Sequence, residues 1–179
     1  MRITISGPPG SGKTTVARIL ANKLNYELIS GGDIFRSMAR ELGMDLVEFS
    51  KYAENNWEID IQIDAQLVEF AKKKENIVID SRLSGWLVYL NNIPAFKVFV
   101  NASLNTRIYR IWKREGGNIG EIRSETIKRE ESEKKRYKKI YGIDFDDLSI
   151  YDLVVDSDNL TPEEVVNVIL EGIGIGENR

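Results

Sequence analysis

Short apolar runs alternate along this chain with longer segments in which apolar residues recur every three or four positions. The runs are rich in Ile, Val and Phe and are bounded by polar residues or glycine, which is typical of buried parallel strands. The spacing between them predicts helices, the first of which ends near Asn25. The pattern therefore predicts an α/β fold, a parallel sheet with helices on both faces. The predicted strands are 2–6, 26–30, 77–80, 96–101 and 153–156.

Capping residues mark the starts of three further helices. Asp33 is predicted to cap one helix, and Asp45, with Glu48 three residues later, to begin another. Thr161, followed by proline and by a glutamate three residues on, is a capping box that opens the last helix, and 172–179 is expected to fray. The predicted apolar faces are Ile34, Phe35, Met38 and Leu42; Leu67, Val68, Phe70 and Ala71; and Val165, Val168 and Ile169.

Between the first strand and the first helix the chain carries the spacing G-x-x-x-x-G-K-[ST], the phosphate-binding loop. Its glycines let backbone N–H groups turn towards a polyphosphate, and the helix N-terminus adds partial positive charge. Lys13 is expected to reach the β- and γ-phosphates and the Thr14 hydroxyl to ligate Mg²⁺. The sequence thus predicts a nucleoside triphosphate site, bound by Gly7, Pro8, Pro9, Gly10, Ser11, Gly12, Lys13, Thr14 and Thr15.

Three charged side chains follow the second and third strands, at the sheet edge where ligands bind in open α/β folds. Asp80 ends an apolar run and is interpreted as the second Mg²⁺ anchor, although it could simply cap the following turn. Arg36 and Arg82 are expected to hold a second anion facing the triphosphate, because guanidinium matches phosphate oxygens in a bidentate way. The alternative is a pair of surface arginines in salt bridges.

The net charge of −3 conceals a basic segment at 105–141, with twelve Lys or Arg against six Glu. Leu104, Ile108 and Ile111 recur there at helical spacing and should face the core. Arg107 and Arg110 then lie on a different face, together with Arg114.

A glycine-rich turn at 116–120 separates this helix from a second one that runs from Glu121 to about Tyr141. On the second helix Arg129, Glu133 and Arg136 share one face. Two basic helices joined by such a turn are interpreted as a lid that brings cations to a transferring phosphoryl group and excludes water. An exposed hairpin held by i,i+4 ion pairs and a nucleic-acid patch are the alternatives.

Length and composition limit the remaining possibilities. A chain of 179 residues suits one domain, and 42% apolar residues with 30% charged residues are typical of a soluble protein. Neither a membrane-length apolar run nor a signal-peptide pattern is present, so we expect a cytoplasmic protein with no membrane partner. Separately, we expect a monomer. The absence of cysteine and histidine excludes thiol and imidazole chemistry, so catalysis must depend on positioning and charge.

Four stretches together resemble the nucleoside-monophosphate kinases, and within them the archaeal-type cytidylate kinases. They are GPPGSGKTT at 7–15, ISGGDIFR at 29–36, IDSR at 79–82 and REESEKKRYKKIYGID at 129–144. The phosphate loop is generic, whereas the second and fourth stretches are far more specific. The likeness covers nearly the whole chain.

The resemblance implies a five-stranded core of order 2-3-1-4-5 that transfers a phosphoryl group from ATP to CMP or dCMP with Mg²⁺. It divides the single domain 1–179 into a core at 1–30, 76–104 and 142–179, a monophosphate-binding segment at 31–75 and a lid at 105–141. The resemblance also implies roles for single residues. The monophosphate nucleotide is bound by Ser30, Gly31, Arg36 and Arg82, and its ribose hydroxyls donate to Glu133. The phosphoryl transfer involves Lys13, Arg82, Arg129 and Arg136, and ATP lies beside Arg107 and Arg110.

The chain departs from the bacterial enzymes at one position that matters for the base. They carry D-G-R-D-x-G, and Leu83 replaces the second aspartate, which helps to read cytosine there. Leucine cannot accept a hydrogen bond from an exocyclic amine. Polar residues further upstream, notably Asp60, Asp64 and Gln66, are therefore the candidates for base recognition.

Other functions remain as alternatives. A small kinase with the same phosphate loop could instead phosphorylate another acceptor, such as UMP, AMP or shikimate. A protein of a different functional class, a nucleotide-driven switch, is the second alternative. A GTPase should carry N-K-x-D and D-x-x-G, and the chain has neither. A nucleic-acid partner is disfavoured because the chain is acidic overall and its basic segment can fold over the nucleotide site.

Overall fold

A computed structural model describes residues 1–174 and contains one five-stranded parallel sheet in the order β2-β3-β1-β4-β5. The predicted fold class and strand order are therefore confirmed. The strands are β1 (Arg2–Ser6), β2 (Glu27–Ser30), β3 (Ile77–Asp80), β4 (Phe96–Asn101) and β5 (Leu153–Asp156).

Helices connect the strands and cover both faces of the sheet. In chain order they are α1 (Lys13–Leu24), α2 (Gly31–Glu41), α3 (Leu46–Glu54), α4 (Glu58–Lys73), α5 (Ser84–Leu90), α6 (Leu104–Glu115), α7 (Ile119–Tyr141) and α8 (Pro162–Gly172). One core, around Phe49, Leu67 and Ile79, lies under α2 to α5, and the other, around Leu20 and Ile169, lies under α1 and α8. Complete burial of such side chains stabilises a fold by about 1.5–3 kcal/mol each.

Side-chain caps begin four of the eight helices described within residues 1–174, namely α3, α6, α7 and α8. Asp45 accepts a hydrogen bond from the Glu48 amide at 2.9 Å, and Thr161 forms the predicted capping box with Glu164. The prediction for Asp33 was wrong: α2 begins at Gly31 and Asp33 lies inside its first turn. An acidic residue there still complements the helix dipole.

Three other differences from the predicted elements have local causes. β2 begins one residue late because the Tyr26 amide donates to the Ala21 carbonyl and closes α1 instead. Of the apolar face predicted for α4, Leu67 and Ala71 are fully buried, while its other two members are partly covered. The frayed end predicted at 172–179 begins with a helical residue, and 175–179 lie outside the described residues.

The register of the sheet brings five strand ends to one edge. Ser30 pairs with Asp80, Asp80 with Ile5, and Asn101 with Asp156. Because all pairs are parallel, the segments that leave the strands meet at this edge, which is where ligands bind in open α/β sheets. Within residues 1–174, no helix is both long and apolar enough to cross a bilayer.

Candidate active site

The phosphate loop has a fixed backbone shape at the head of α1. Lys13 is the first helical residue, and the Ser11 amide donates to the Pro8 carbonyl at 3.2 Å. Gly10 has φ 78°, and a Cβ there would lie 2.7 Å from the Arg107 carbonyl oxygen. Both the left-handed backbone and the contact with α6 therefore require glycine at this position.

Two arginines of α6 hold this loop from outside. Arg107 donates to the Pro9 carbonyl at 3.2 Å and pairs with Glu130 of α7, while Arg110 donates to the Ser11 carbonyl at 3.1 Å. Arg107 is itself buried. In this structure the two guanidinium groups contact loop carbonyls, which keeps the outward backbone groups satisfied.

Lys13 and Asp80 face each other where the loop meets β3. The Lys13 Nζ lies 3.8 Å from Oδ1 of Asp80, whose side chain is 3% exposed. Burial, together with the charge of Arg82, lowers the pKa of Lys13 to about 8, against the opposing effect of Asp80. Ser30 donates to the other Asp80 oxygen, Oδ2, at 3.4 Å. The end of β2 is thus joined to the same carboxylate.

Arginines from α7 and from the segment that follows β3 meet carboxylates in the cleft beyond Asp80. Arg82 Nε lies 2.7 Å from Glu133, which also pairs with Arg129 at 3.3 Å. One turn further along α7, Arg136 lies 2.9 Å from Asp60 of α4. The cleft therefore joins the end of β3 to helices α4 and α7.

Buried polar atoms in this cleft are left without hydrogen bonds. Nε of Arg136 and Oδ1 of Asp80 have no hydrogen-bond partner among residues 1–174. Arg82 keeps its charge: burial acts to lower its pKa, but Glu133, Tyr137 and Asp80 together raise it. An unsatisfied buried donor is costly, so the free Nε–H of Arg136 indicates a place for a hydrogen-bond acceptor.

The donors near Lys13 suit Mg²⁺. This ion keeps several waters and takes one or two carboxylates plus substrate phosphates. Asp80 Oδ1 is a buried carboxylate oxygen without a hydrogen-bond partner, and Thr14 follows Lys13 in the first turn of α1. No group of three or more acidic side chains that could hold a metal occurs within residues 1–174, and a phosphate-bound magnesium needs none.

Comparison with known proteins places this geometry in a family. A model of the cytidylate kinase-like family matches residues 2–159. The chain is 50% identical over 175 residues to a cytidylate kinase of Archaeoglobus fulgidus, covering 98% of this chain and 96% of that protein. It is 49% identical to a cytidylate kinase of Methanocaldococcus jannaschii, covering 97% of each.

The chain belongs to the cytidylate kinase-like family. The resemblance found in the four sequence stretches is thereby confirmed. Solved structures share the fold at low identity. A shikimate kinase from Bacteroides thetaiotaomicron has a TM-score of 0.67 at 19% identity, covering 97% of this chain and 98% of that one. A gluconokinase from Sinorhizobium meliloti has a TM-score of 0.62 at 17% identity, with coverages of 96% and 90%.

Not all the predicted site residues of this family member come together. Arg36 folds over Gly32 and pairs with Asp33, and within residues 1–174 it has no ion pair with the cleft carboxylates. Gly31 does lie at the cleft, because a Cβ there would be 3.3 Å from Ser81. Gln66 is exposed and stands two residues from Asp64, so the two do not share a face of α4.

Two tyrosines lie in the cleft that were not predicted as site residues from the sequence. Tyr141 donates to Oδ2 of Asp64 at 2.7 Å, and burial, with the charge of Glu133, raises the pKa of Tyr137. Both extend the i,i+4 series that begins with Arg129 and Glu133. Continuing that spacing along α7 would have found them.

Proposed function

We propose that this protein transfers the γ-phosphoryl group of Mg-ATP to the phosphate of CMP or dCMP, giving ADP and CDP or dCDP. The observation that carries the proposal is the pair of guanidinium groups of Arg82 and Arg136 in the cleft beyond Asp80, where Nε of Arg136 is buried without a hydrogen-bond partner. Such donors need an anion, and the dianionic phosphate of a nucleotide supplies one. The relatives named cytidylate kinases support the choice of CMP.

The phosphate loop is the ATP side of the proposed reaction. Backbone N–H groups of 7–15 and the Lys13 ammonium hold the β- and γ-phosphates. Arg107 and Arg110 act on ATP indirectly, because they bind the loop carbonyls and so keep the N–H groups turned inward. Thr14 and Asp80 would hold Mg²⁺, which neutralises charge on the triphosphate when bound.

The cleft is the acceptor side. Arg82 and Arg136 bind the acceptor's phosphate, and Arg129, exposed on α7, adds charge when the site closes. Glu133 accepts from the ribose hydroxyls once the phosphate has taken its arginine partners. Ser30 and Gly31 line the cleft floor beside Asp80. Arg36, which is paired with Asp33 in this structure, joins Arg82 and Arg136 after exchanging that carboxylate for the phosphate.

Positioning supplies the catalysis. A chain without histidine or cysteine has neither imidazole nor thiol to move protons, and phosphoryl transfer needs little proton chemistry. The phosphate of CMP is itself the nucleophile, so in-line alignment and charge neutralisation lower the barrier. Segment 31–75 binds the monophosphate and segment 105–141 closes as the lid around a core formed by the rest of the single domain. The protein acts as a cytoplasmic monomer without a nucleic-acid or membrane partner.

A coupled ADP-release assay with Mg-ATP and a panel of acceptors tests the proposal. We expect CMP and dCMP to support turnover at least about tenfold better than UMP or AMP, since buried polar groups reject acceptors that leave them unpaired. Shikimate should release no ADP above the background. Turnover confined to AMP or shikimate, or ATP hydrolysis independent of every acceptor, would contradict it.

A further inference from the structure

The acceptor cleft contains two carboxylates of α4 that differ in how they are occupied. Asp60 and Asp64 stand one turn apart on the same face of α4 and both meet α7. Asp60 forms an ion pair through Oδ2 with Arg136, at 2.9 Å, so an arginine already balances its charge. Asp64 accepts from Tyr141 through Oδ2 only, and within residues 1–174 no group donates a hydrogen bond to its Oδ1. Asp64 therefore has one acceptor oxygen to spare.

We infer that Oδ1 of Asp64 accepts a hydrogen bond from the exocyclic amine of the acceptor's cytosine, with Tyr141 as its positioning residue. This inference rests on the proposed function. Asp64 lies one turn, about 6 Å, further along α4 than the residue that pairs with Arg136. A nucleotide whose phosphate is held by Arg136 can therefore place its base at Asp64.

The chemistry of a carboxylate separates the two pyrimidines. An ionised carboxylate only accepts hydrogen bonds. Cytosine offers it a 4-amino donor, whereas uracil offers a carbonyl oxygen that a negative charge repels. Leu83, which follows β3, cannot serve this purpose, because its side chain has no hydrogen-bond acceptor and is 2% exposed in the core. The tyrosine bond fixes which oxygen of Asp64 remains free, so the carboxylate is oriented before the base arrives.

Neighbouring groups give this recognition a pH dependence. The groups that face Asp64 are Tyr141, Asp60 and Arg136, with the buried Tyr137 close by. Burial raises the pKa of Asp64 to about 6, against the opposing hydrogen bond from Tyr141. Below that pH the neutral carboxyl can also donate to a carbonyl, so discrimination against uracil should weaken.

The test is the ratio of kcat/KM for CMP to kcat/KM for UMP in the full chain with saturating Mg-ATP. Asp64→Asn should lower the ratio about 10- to 100-fold, because the amide can donate to the uracil carbonyl. Asp60→Asn should change both nucleotides alike, and Gln66→Ala, on the exposed side of α4, should leave the ratio unchanged. Tyr141→Phe should lower the ratio less than Asp64→Asn, and mainly through KM. An unchanged ratio in Asp64→Asn would overturn the inference.

A pH series separates base reading from a merely structural role. The ratio for the unaltered protein should fall as the pH drops from 7.5 through about 6, and it should be flat in Asp64→Asn. Titration of the acceptor phosphates cancels because both nucleotides carry the same group. A ratio that does not change with pH in the unaltered protein contradicts the inference. Loss of CMP turnover in the unaltered protein would instead defeat the proposed function, so the two failures are distinguishable.

Discussion

The phosphate loop and the cleft between α4 and α7 both set arginines against oxygen acceptors, but the acceptors differ. At the loop, Arg107 and Arg110 donate to neutral backbone carbonyls. In the cleft, Arg82 and Arg136 meet the carboxylates of Glu133 and Asp60, and Nε of Arg136 is left without a hydrogen-bond partner. The first arrangement is complete without a ligand, whereas the second is not.

This difference indicates that the phosphate loop is preformed for its ligand and that the cleft is not. A loop whose outward carbonyls are satisfied keeps its shape, and its inward N–H groups are ready for ATP. In the cleft, carboxylates stand where a phosphate can replace them, so binding the acceptor exchanges one set of anions for another. Opposite charges hold the arginines in place until then, which limits the entropy lost on binding.

The largest effect should come from the loop. Lys13→Ala removes the ammonium that faces Asp80, and we expect turnover to fall about 100- to 1,000-fold or more while the fold persists. Activity is measured by coupled ADP release and folding by thermal unfolding. Lys23→Ala, at the other end of α1, is the matched control. Near-normal turnover in Lys13→Ala would remove the assignment of the phosphate loop.

Arg82→Ala should weaken binding of the acceptor nucleotide in the cleft rather than binding of ATP. It removes a buried donor and leaves Glu133 with fewer cations, so the KM for CMP should rise about 100-fold while the KM for ATP changes little. Initial-rate kinetics with each substrate varied in turn give both constants. Arg114→Ala, whose side chain is 68% exposed, should change neither. Equal rises in both constants would show that Arg82 does not belong to the acceptor side.

Arg107→Ala should reveal how much the loop depends on its outer support. The substitution leaves the Pro9 carbonyl and Glu130 without their buried cation, so we expect about a tenfold weaker affinity for ATP. Affinity for CMP alone should change less than twofold. Equilibrium binding of each nucleotide measures both. If CMP binding weakened as much as ATP binding, the two sides would not be independent.

The smallest expected effect, about twofold at pH 8, is a pH dependence of ATP use. Burial holds the pKa of Lys13 near 8, so the free protein loses this ammonium as the pH rises through about 8. The kcat/KM for ATP should therefore decline above pH 8, by about tenfold per unit well above the pKa. A profile that stays level to pH 9.5 would contradict the charge balance described for Lys13 and Asp80.

The sequence predicted what depends on neighbours in the chain. The phosphate loop, its flanking strand and helix, and the capping box at Thr161 are local patterns, and each was placed correctly. Helix α5 was not predicted, because its residues are almost all buried and therefore show no alternation of polar and apolar faces.

The pairings in the cleft depend on tertiary structure instead. Tyr141 and Asp64 are 77 residues apart, and no local spacing connects them. Sequence reasoning could say that Arg82 and Arg136 suit an anion, but not that carboxylates from α4 and α7 already hold them. Arg36 is likewise paired in the structure, with Asp33 one turn earlier, and its spacing in the sequence did not predict that pairing.

A crystal structure with Mg²⁺, a non-hydrolysable ATP analogue and CMP tests the central claim most directly. We predict that phosphate oxygens of CMP accept hydrogen bonds from the Nε–H groups of Arg82 and Arg136, with Glu133 and Asp60 displaced from them. The analogue's phosphates should lie against Lys13 and the loop amides. A CMP phosphate bound elsewhere, with both arginines still against their carboxylates, would contradict the account.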